Sequence, residues 1–158
     1  MNRQDVERAV KKSIIVERDV ATTFRVWTEK IHLWWPVASH SLSGDGQAQV
    51  MIEGRVNGRF YERAPGGVEY DWGAITIWEP PHRLSFTWYL GSGQQLPTRV
   101  DVEFIALGDN QTRVELEHRG PELIGDLWWQ RVNIFNNAWA AVLAKLQLFL
   151  TDNKGSER

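Results

Sequence analysis

A chain of 158 residues, 42% hydrophobic, 24% charged and with a formal net charge of −2, suits one domain with a single sizeable core and offers no basic stripe to neutralise phosphates, which argues against nucleic acid as a partner. It has no cysteine, so a disulfide framework, a thiolate zinc site and thiol catalysis are excluded together. The opening MNRQDVERAV lacks the apolar run of a secretion signal and the apolar stretch near the C-terminus is broken by Lys145, so a cytoplasmic protein without a membrane span is expected.

In chain order, residues 11 to 18, KKSIIVER, read as a first strand. Asp19 is placed to cap a helix whose Val20, Phe24, Trp27 and Ile31 share one face. That helix should end near Trp34-Trp35-Pro36, because a residue before proline is pushed out of the α region. After a polar loop, SHSLSGDG, the text from Gln47 to Arg119 becomes short alternating runs between turn signals, which is the pattern of an antiparallel meander. Beyond Gly120-Pro121 a helical period returns, with Ile124, Trp128, Val132, Phe135, Trp139, Leu143, Leu146 and Leu150 on one stripe about seven turns long. The order is strand, helix, six strands, long helix: a single α+β domain, with its core from about residue 10 to 150 and the sheet curling around the last helix.

The stretch VEYDWGAITIWEPPHRLSFTWYL, residues 68 to 90, holds three of the nine tryptophans, and the direction of its rings decides what the sheet can do. A two-residue loop within Glu79-Pro80-Pro81-His82 pairs Trp78 with Arg83, Ile77 with Leu84, Ile75 with Phe86 and Gly73 with Trp88. With an even-numbered loop at Pro65-Gly66-Gly67, Phe60 and Glu62 join Asp71, Gly73 and Ile75 on the apolar face, and Tyr61 joins Trp72; a one-residue bulge would swap them. Val100, Val102 and Phe104 should face inward with Val114, Leu116 and His118, which requires an odd-numbered loop around Gly108-Asp109-Asn110. Phe60, Phe86 and Trp88 are therefore expected to face the long helix, and Tyr61, Trp72, Trp78 and Tyr89 to face outward.

The run GRFYERAPGGVEYDWGAITIWEPPHRLSFTW, followed by TRVELEHRG and a closing helix, resembles the domains related to the activator of Hsp90 ATPase, within the START-like, polyketide-cyclase-like superfamily. The resemblance spans about Val10 to Leu150 and is most specific from Trp72 to Leu84. It implies the helix-grip fold, a curved antiparallel sheet gripping a long C-terminal helix, with a cavity between them that takes apolar or amphipathic small molecules. It carries no catalytic signature with it.

Candidate ligand-binding residues follow from the inward set and the loop at the cavity mouth: Trp35, His40, Phe60, Asp71, Gly73, Ile75, Phe86, Trp88, His118 and Trp128. Trp27, Trp34 and Trp139, at helical spacing, read as core. Glu62, Asp71 and His118 are the catalytic candidates: two close carboxylates in a dry pocket would supply an acid and a base, and a buried histidine could shuttle a proton or serve as a hydrogen-bonded structural residue. The four histidines, His32, His40, His82 and His118, show no HExxH or other zinc spacing, so neither metal nor cofactor is expected. GSGQQLP lacks the third glycine of a dinucleotide fingerprint and runs into a proline, and GSG only imitates part of a nucleophile elbow. The leading reading is a binding module for a small lipophilic molecule. A cyclase- or dehydratase-like enzyme using the Glu62 and Asp71 pair is the alternative. A protein-interaction module is the third, with Tyr61, Trp72 and Tyr89 as an outer row suited to a homodimer or a chaperone.

Overall fold

The computed structural model describes residues 9–41, 43–44, 46–89, 97–120 and 124–152; the glycine-rich stretch at residues 91–96 lies outside them. Seven strands, β1 (Ala9–Val16), β2 (Gln49–Ile52), β3 (Arg59–Arg63), β4 (Glu69–Glu79), β5 (Arg83–Trp88), β6 (Thr98–Gly108) and β7 (Gln111–Arg119), make one antiparallel sheet in the order β1-β7-β6-β5-β4-β3-β2. Helices α1 (Val20–Thr28) and α2 (Ile31–Trp34) connect β1 to β2, and α3 (Asp126–Asp152) follows β7. This is the α+β helix-grip architecture: a curled meander closed by β1, holding a long C-terminal helix. Among the described residues, no helix is long and apolar enough to cross a membrane.

The helices form where local chemistry directs them. The Asp19 carboxylate accepts from the Thr22 amide at 3.1 Å, which satisfies one orphan donor of the first turn of α1. The single helix expected as far as Trp34 is instead two, broken at Glu29-Lys30. The break lets the Trp34 indole reach back and donate to the Val26 carbonyl at 3.0 Å, a carbonyl in the last turn of α1 where intrahelical donors run out. Trp35, ahead of Pro36, is extended at φ −65°, ψ 132°. On α3 seven residues of the expected stripe, Trp128 through Leu150, are buried in the core, while the eighth, Ile124, is buried just ahead of the helix, separated from it by Gly125 at φ 59°.

Three one-residue bulges set the faces of the sheet. At the β6–β7 hairpin Ala106 pairs with Thr112 and Gly108 with Gln111, leaving Leu107 over, so Val100, Val102 and Phe104 meet His118, Leu116 and Val114 on the inner face as expected. Between β4 and β5 Ile75 pairs with Phe86 as expected. The turn, however, holds three residues, which pairs Glu79 with Arg83, Trp78 with Leu84 and Ile77 with Ser85, and Thr76 is the extra residue. That shift turns Trp78 inward, where its ring meets Phe24 of α1 at 5.3 Å.

The third bulge has the largest effect. Phe60 pairs with Gly73 but Tyr61 pairs with Asp71, which leaves Trp72 unpaired in β4. Its side chain crosses to the concave side and is fully buried, while Asp71 moves to the outer face. The expected outer row of Tyr61, Trp72 and Tyr89 therefore does not form. Tyr61 is itself 7% exposed, covered by the Arg59 guanidinium 3.9 Å from its ring centre.

Gly73 sits where β4 presses on β5: a Cβ there would run into the backbone carbonyl oxygen of Thr87, and the neighbouring Ala74 amide is taken by the Thr87 hydroxyl at 3.0 Å. The reason for glycine is this backbone approach, not room for the Trp88 ring. Gly73→Ala should lower unfolding free energy by about 2–4 kcal/mol in urea titrations, whereas Gly108→Ala, whose Cβ would meet open space, should stay within about 0.5 kcal/mol of the parent.

Candidate functional site

Between sheet and helix lies a ring-packed interior. Trp35 has Trp72 at 5.2 Å, Trp139 at 5.9 Å, and Phe60 and Trp88 at 6.0 Å between ring centroids. Phe60 in turn meets Phe86 at 5.0 Å. Phe60, Gly73, Ile75, Phe86 and Trp128 are wholly enclosed in this packing. The deep chamber expected from the inward set is therefore filled, and these five residues support the walls without lining open space.

Among the described residues, a cleft of about 280 Å³ is open at the mouth between sheet and helix. The turn after α2 contributes Trp35, Ser39, His40 and Ser41; β5 contributes Trp88; and α3 contributes Ile134, Phe135, Ala138, Trp139 and Val142. Trp35, His40 and Trp88 were legible as candidates. Ile134, Ala138 and Trp139 were missed, although Ile134, 54% exposed, carried a signal: with Ala138 it makes an apolar i, i+4 pair off the buried stripe of an otherwise polar helix face.

The turn that walls the cleft is held by its own backbone. Ser39 and His40 amides both donate to the Pro36 carbonyl, at 3.2 and 2.9 Å. The Trp35 indole donates to the His40 carbonyl at 2.7 Å, and His40 Nδ1 lies 2.7 Å from the Ser39 hydroxyl. Partial burial lowers the His40 pKa from its ordinary 6.5, so its imidazole is neutral at neutral pH.

The two carboxylate candidates do not converge. Asp71 is on the outer face, where Arg59 donates to it at 2.8 and 2.9 Å. Glu62 is fully buried and accepts from the Trp72 indole at 2.8 Å, the Ser43 hydroxyl at 2.6 Å and the Ser43 amide at 3.3 Å. It ties the loop beyond the cleft to the aromatic wall. The expected acid–base pair is thus divided by the bulge at Trp72.

His118 lies behind the cleft and does not line it. The Trp139 indole donates to its Nδ1 at 2.9 Å, which forces the hydrogen onto Nε2, and Nε2 meets the Thr98 hydroxyl at 2.5 Å. Phe135 and Trp128 enclose the ring at 4.4 and 5.4 Å between centroids. Burial pushes its pKa down to about 3. It is a neutral, hydrogen-bonded support that orients Trp139, one wall of the cleft.

Elsewhere, a concavity of about 470 Å³ on the outer face of the sheet is lined by charged residues that pair with one another, Arg83 with Asp101 and Arg119 with Glu117. Among the described residues, no group of three or more histidines and carboxylates is gathered to hold a metal ion.

The family described as Activator of Hsp90 ATPase homolog 1-like protein matches residues 18–151. Of solved structures, the anthrahydroquino-γ-pyrone synthase Txn09 is 35% identical, over 78% of this chain and 84% of that one, with a TM-score of 0.57. CalC, a self-sacrificing resistance protein from Micromonospora echinospora, is 26% identical over 95% and 97% of the two chains, with a TM-score of 0.68. A protein from Nitrosomonas europaea, 15% identical over 94% and 97% at a TM-score of 0.64, shares the fold. No curated protein matches the chain.

The depressed His118 pKa makes stability depend on acid. Above the unfolded value of 6.5 both states hold a neutral imidazole and stability is full. As pH falls from there towards about 3, only the unfolded state takes up the proton, so this group removes about 1.4 kcal/mol per pH unit. Urea unfolding across that window should show a slope about one proton steeper in the parent than in His118→Gln, whose amide can still accept from Trp139 and donate to Thr98. Parallel slopes would remove the neutral-histidine assignment.

Proposed function

The chain belongs to the family of Activator of Hsp90 ATPase homolog 1-like proteins, and on that footing we propose that it binds a small hydrophobic or amphipathic molecule in the cleft between α3 and the Trp35–Ser41 turn. The observation that carries this reading is the cleft itself: about 280 Å³ of space walled by the Trp35, Trp88 and Trp139 rings, with Ser39, His40 and Ser41 as its polar side. The resemblance to Txn09, named as an anthrahydroquino-γ-pyrone synthase, supports an aromatic ligand, for which a wall of mutually tilted indoles makes a suitable surface.

A second reading is favoured by the neutral His40 beside the Ser39 hydroxyl and by the likeness to a protein named as a synthase. In it His40 acts as a general base on a bound enolisable substrate, as in a cyclase. The carboxylate pair has no part in it, because Asp71 faces outward. Exchange of the acidic protons of a β-diketone probe into heavy water, faster with the parent than with His40→Ala, would support this reading; equal rates would remove it.

Filling the cleft tests the binding reading. Ala138→Phe should melt within about 1 kcal/mol of the parent. In a thermal-shift panel of lipophilic aromatics the parent should gain about 2.7 kcal/mol at a hundredfold excess of ligand over Kd, and the variant should gain nothing. An equal gain in both proteins would place binding elsewhere.

A further inference from the structure

The cleft carries no formal charge at neutral pH. Its wall is made of indole rings, the Phe135 ring and aliphatic side chains from α3, two serine hydroxyls and the half-buried His40. Two other concavities differ. The one on the outer sheet face includes Lys11, Arg83 and Asp101. The one across Trp35 and Ser39, towards the end of α3, includes Lys145 and Asp152. Resting on the binding reading above, we infer that the cleft selects uncharged ligands bearing a hydroxyl or carbonyl oxygen and rejects anionic ones, carboxylates above all.

The polar wall is built for such an oxygen. Ser41 Oγ accepts from the Gly44 amide at 2.9 Å, so its own hydrogen remains to donate. His40 Nδ1 is engaged with the Ser39 hydroxyl, which leaves Nε2 to serve a ligand, as a donor to a ketone or as an acceptor from a phenol according to the tautomer. A carboxylate in the same place would lose its hydration against three indole rings with no counter-charge on the wall. Of the charged groups on the elements around His40, Glu62 is tied beneath the loop through Ser43, Lys145 and Asp152 line the concavity beyond Trp35, and Asp126 and Arg131 lie elsewhere on α3. None of them belongs to the cleft lining.

Two probes of one skeleton, naphthol and naphthoate, separate charge from shape in calorimetric titrations. At neutral pH naphthol should bind at least about tenfold more tightly than naphthoate. As pH falls through the lowered His40 pKa, naphthoate affinity should rise while that of naphthol stays level, and His40→Asn should reduce the rise to the part owed to naphthoate's own protonation. Equal affinities at neutral pH would overturn the inference, as would naphthoate binding that is lost in Lys145→Ala. If neither probe binds, or if Ala138→Phe leaves both affinities unchanged, the cleft reading itself fails and takes this inference with it. If Ala138→Phe abolishes both but the two probes bind equally, only the charge selection fails.

Discussion

Trp72 stands in β4 without a partner on β3, and its indole crosses to the concave side, where it donates to the buried Glu62 carboxylate at 2.8 Å. Much else depends on that crossing. On the concave side it brings Trp72 against Trp35 and Phe60, completing a packed aromatic mass where an alternating strand would have left a gap. On the convex side it presents Asp71 to Arg59, whose guanidinium also lies over Tyr61. One inserted residue thus settles which carboxylate is buried and which is paired at the surface, and it does so through parity: a shift of one residue moves every later side chain to the other face.

The buried polar groups act as organisers of this mass. Glu62 holds Trp72 from one side and Ser43 from the other. His118 joins Trp139 on α3 to Thr98 on β6. In a core of interchangeable rings, apolar contact alone specifies orientation weakly, because an indole can settle in more than one rotamer at little cost. A directional hydrogen bond from the indole N–H of Trp72 and of Trp139 removes that freedom at those two rings, where leaving the donor unpaired would be costly; Trp27, whose buried indole nitrogen has no partner among the described residues, is held by packing alone. Trp35 follows the same logic at the surface, spending its N–H on the His40 carbonyl. Three indole donors therefore fix the loop, the sheet and the long helix relative to one another around the cleft.

What the residue pattern reveals depends on whether the physics leaves a periodic trace. The stripe from Trp128 to Leu150 is legible because helical burial repeats over about six turns, and the inward set of Val100, Val102, Phe104 and His118 because the apolar positions on both strands demand one loop parity. The bulges at Trp72 and Thr76 leave no such trace: Asp71, Trp72 and Gly73 are compatible with either parity, and the deciding facts, the Thr87 carbonyl against Gly73 and the Glu62 carboxylate awaiting an indole, are contacts across strands. The cleft was half legible for the same reason. Trp35 and His40 announce themselves by their place beside a proline turn. Trp139 reads as core from its spacing, because it is buried and a wall at once.

The filled interior changes where recognition can reside. Residues of the concave sheet, Phe60, Ile75 and Phe86, have their surfaces taken by one another and by the helix stripe, so substitution there acts first on stability through cavities or overpacking. The surfaces left to a ligand belong to one turn and to the outward shoulder of α3, together with the Trp88 and Trp139 rings. Ile134 and Ala138 lie on the solvent side of that shoulder, off the stripe that anchors the helix. They can vary in size without disturbing the anchor. Selectivity for shape and tolerance to sequence change are therefore concentrated in the same few positions, while the polar wall at Ser39, His40 and Ser41, fixed by backbone bonds to Pro36 and by the Trp35 indole, stays constant.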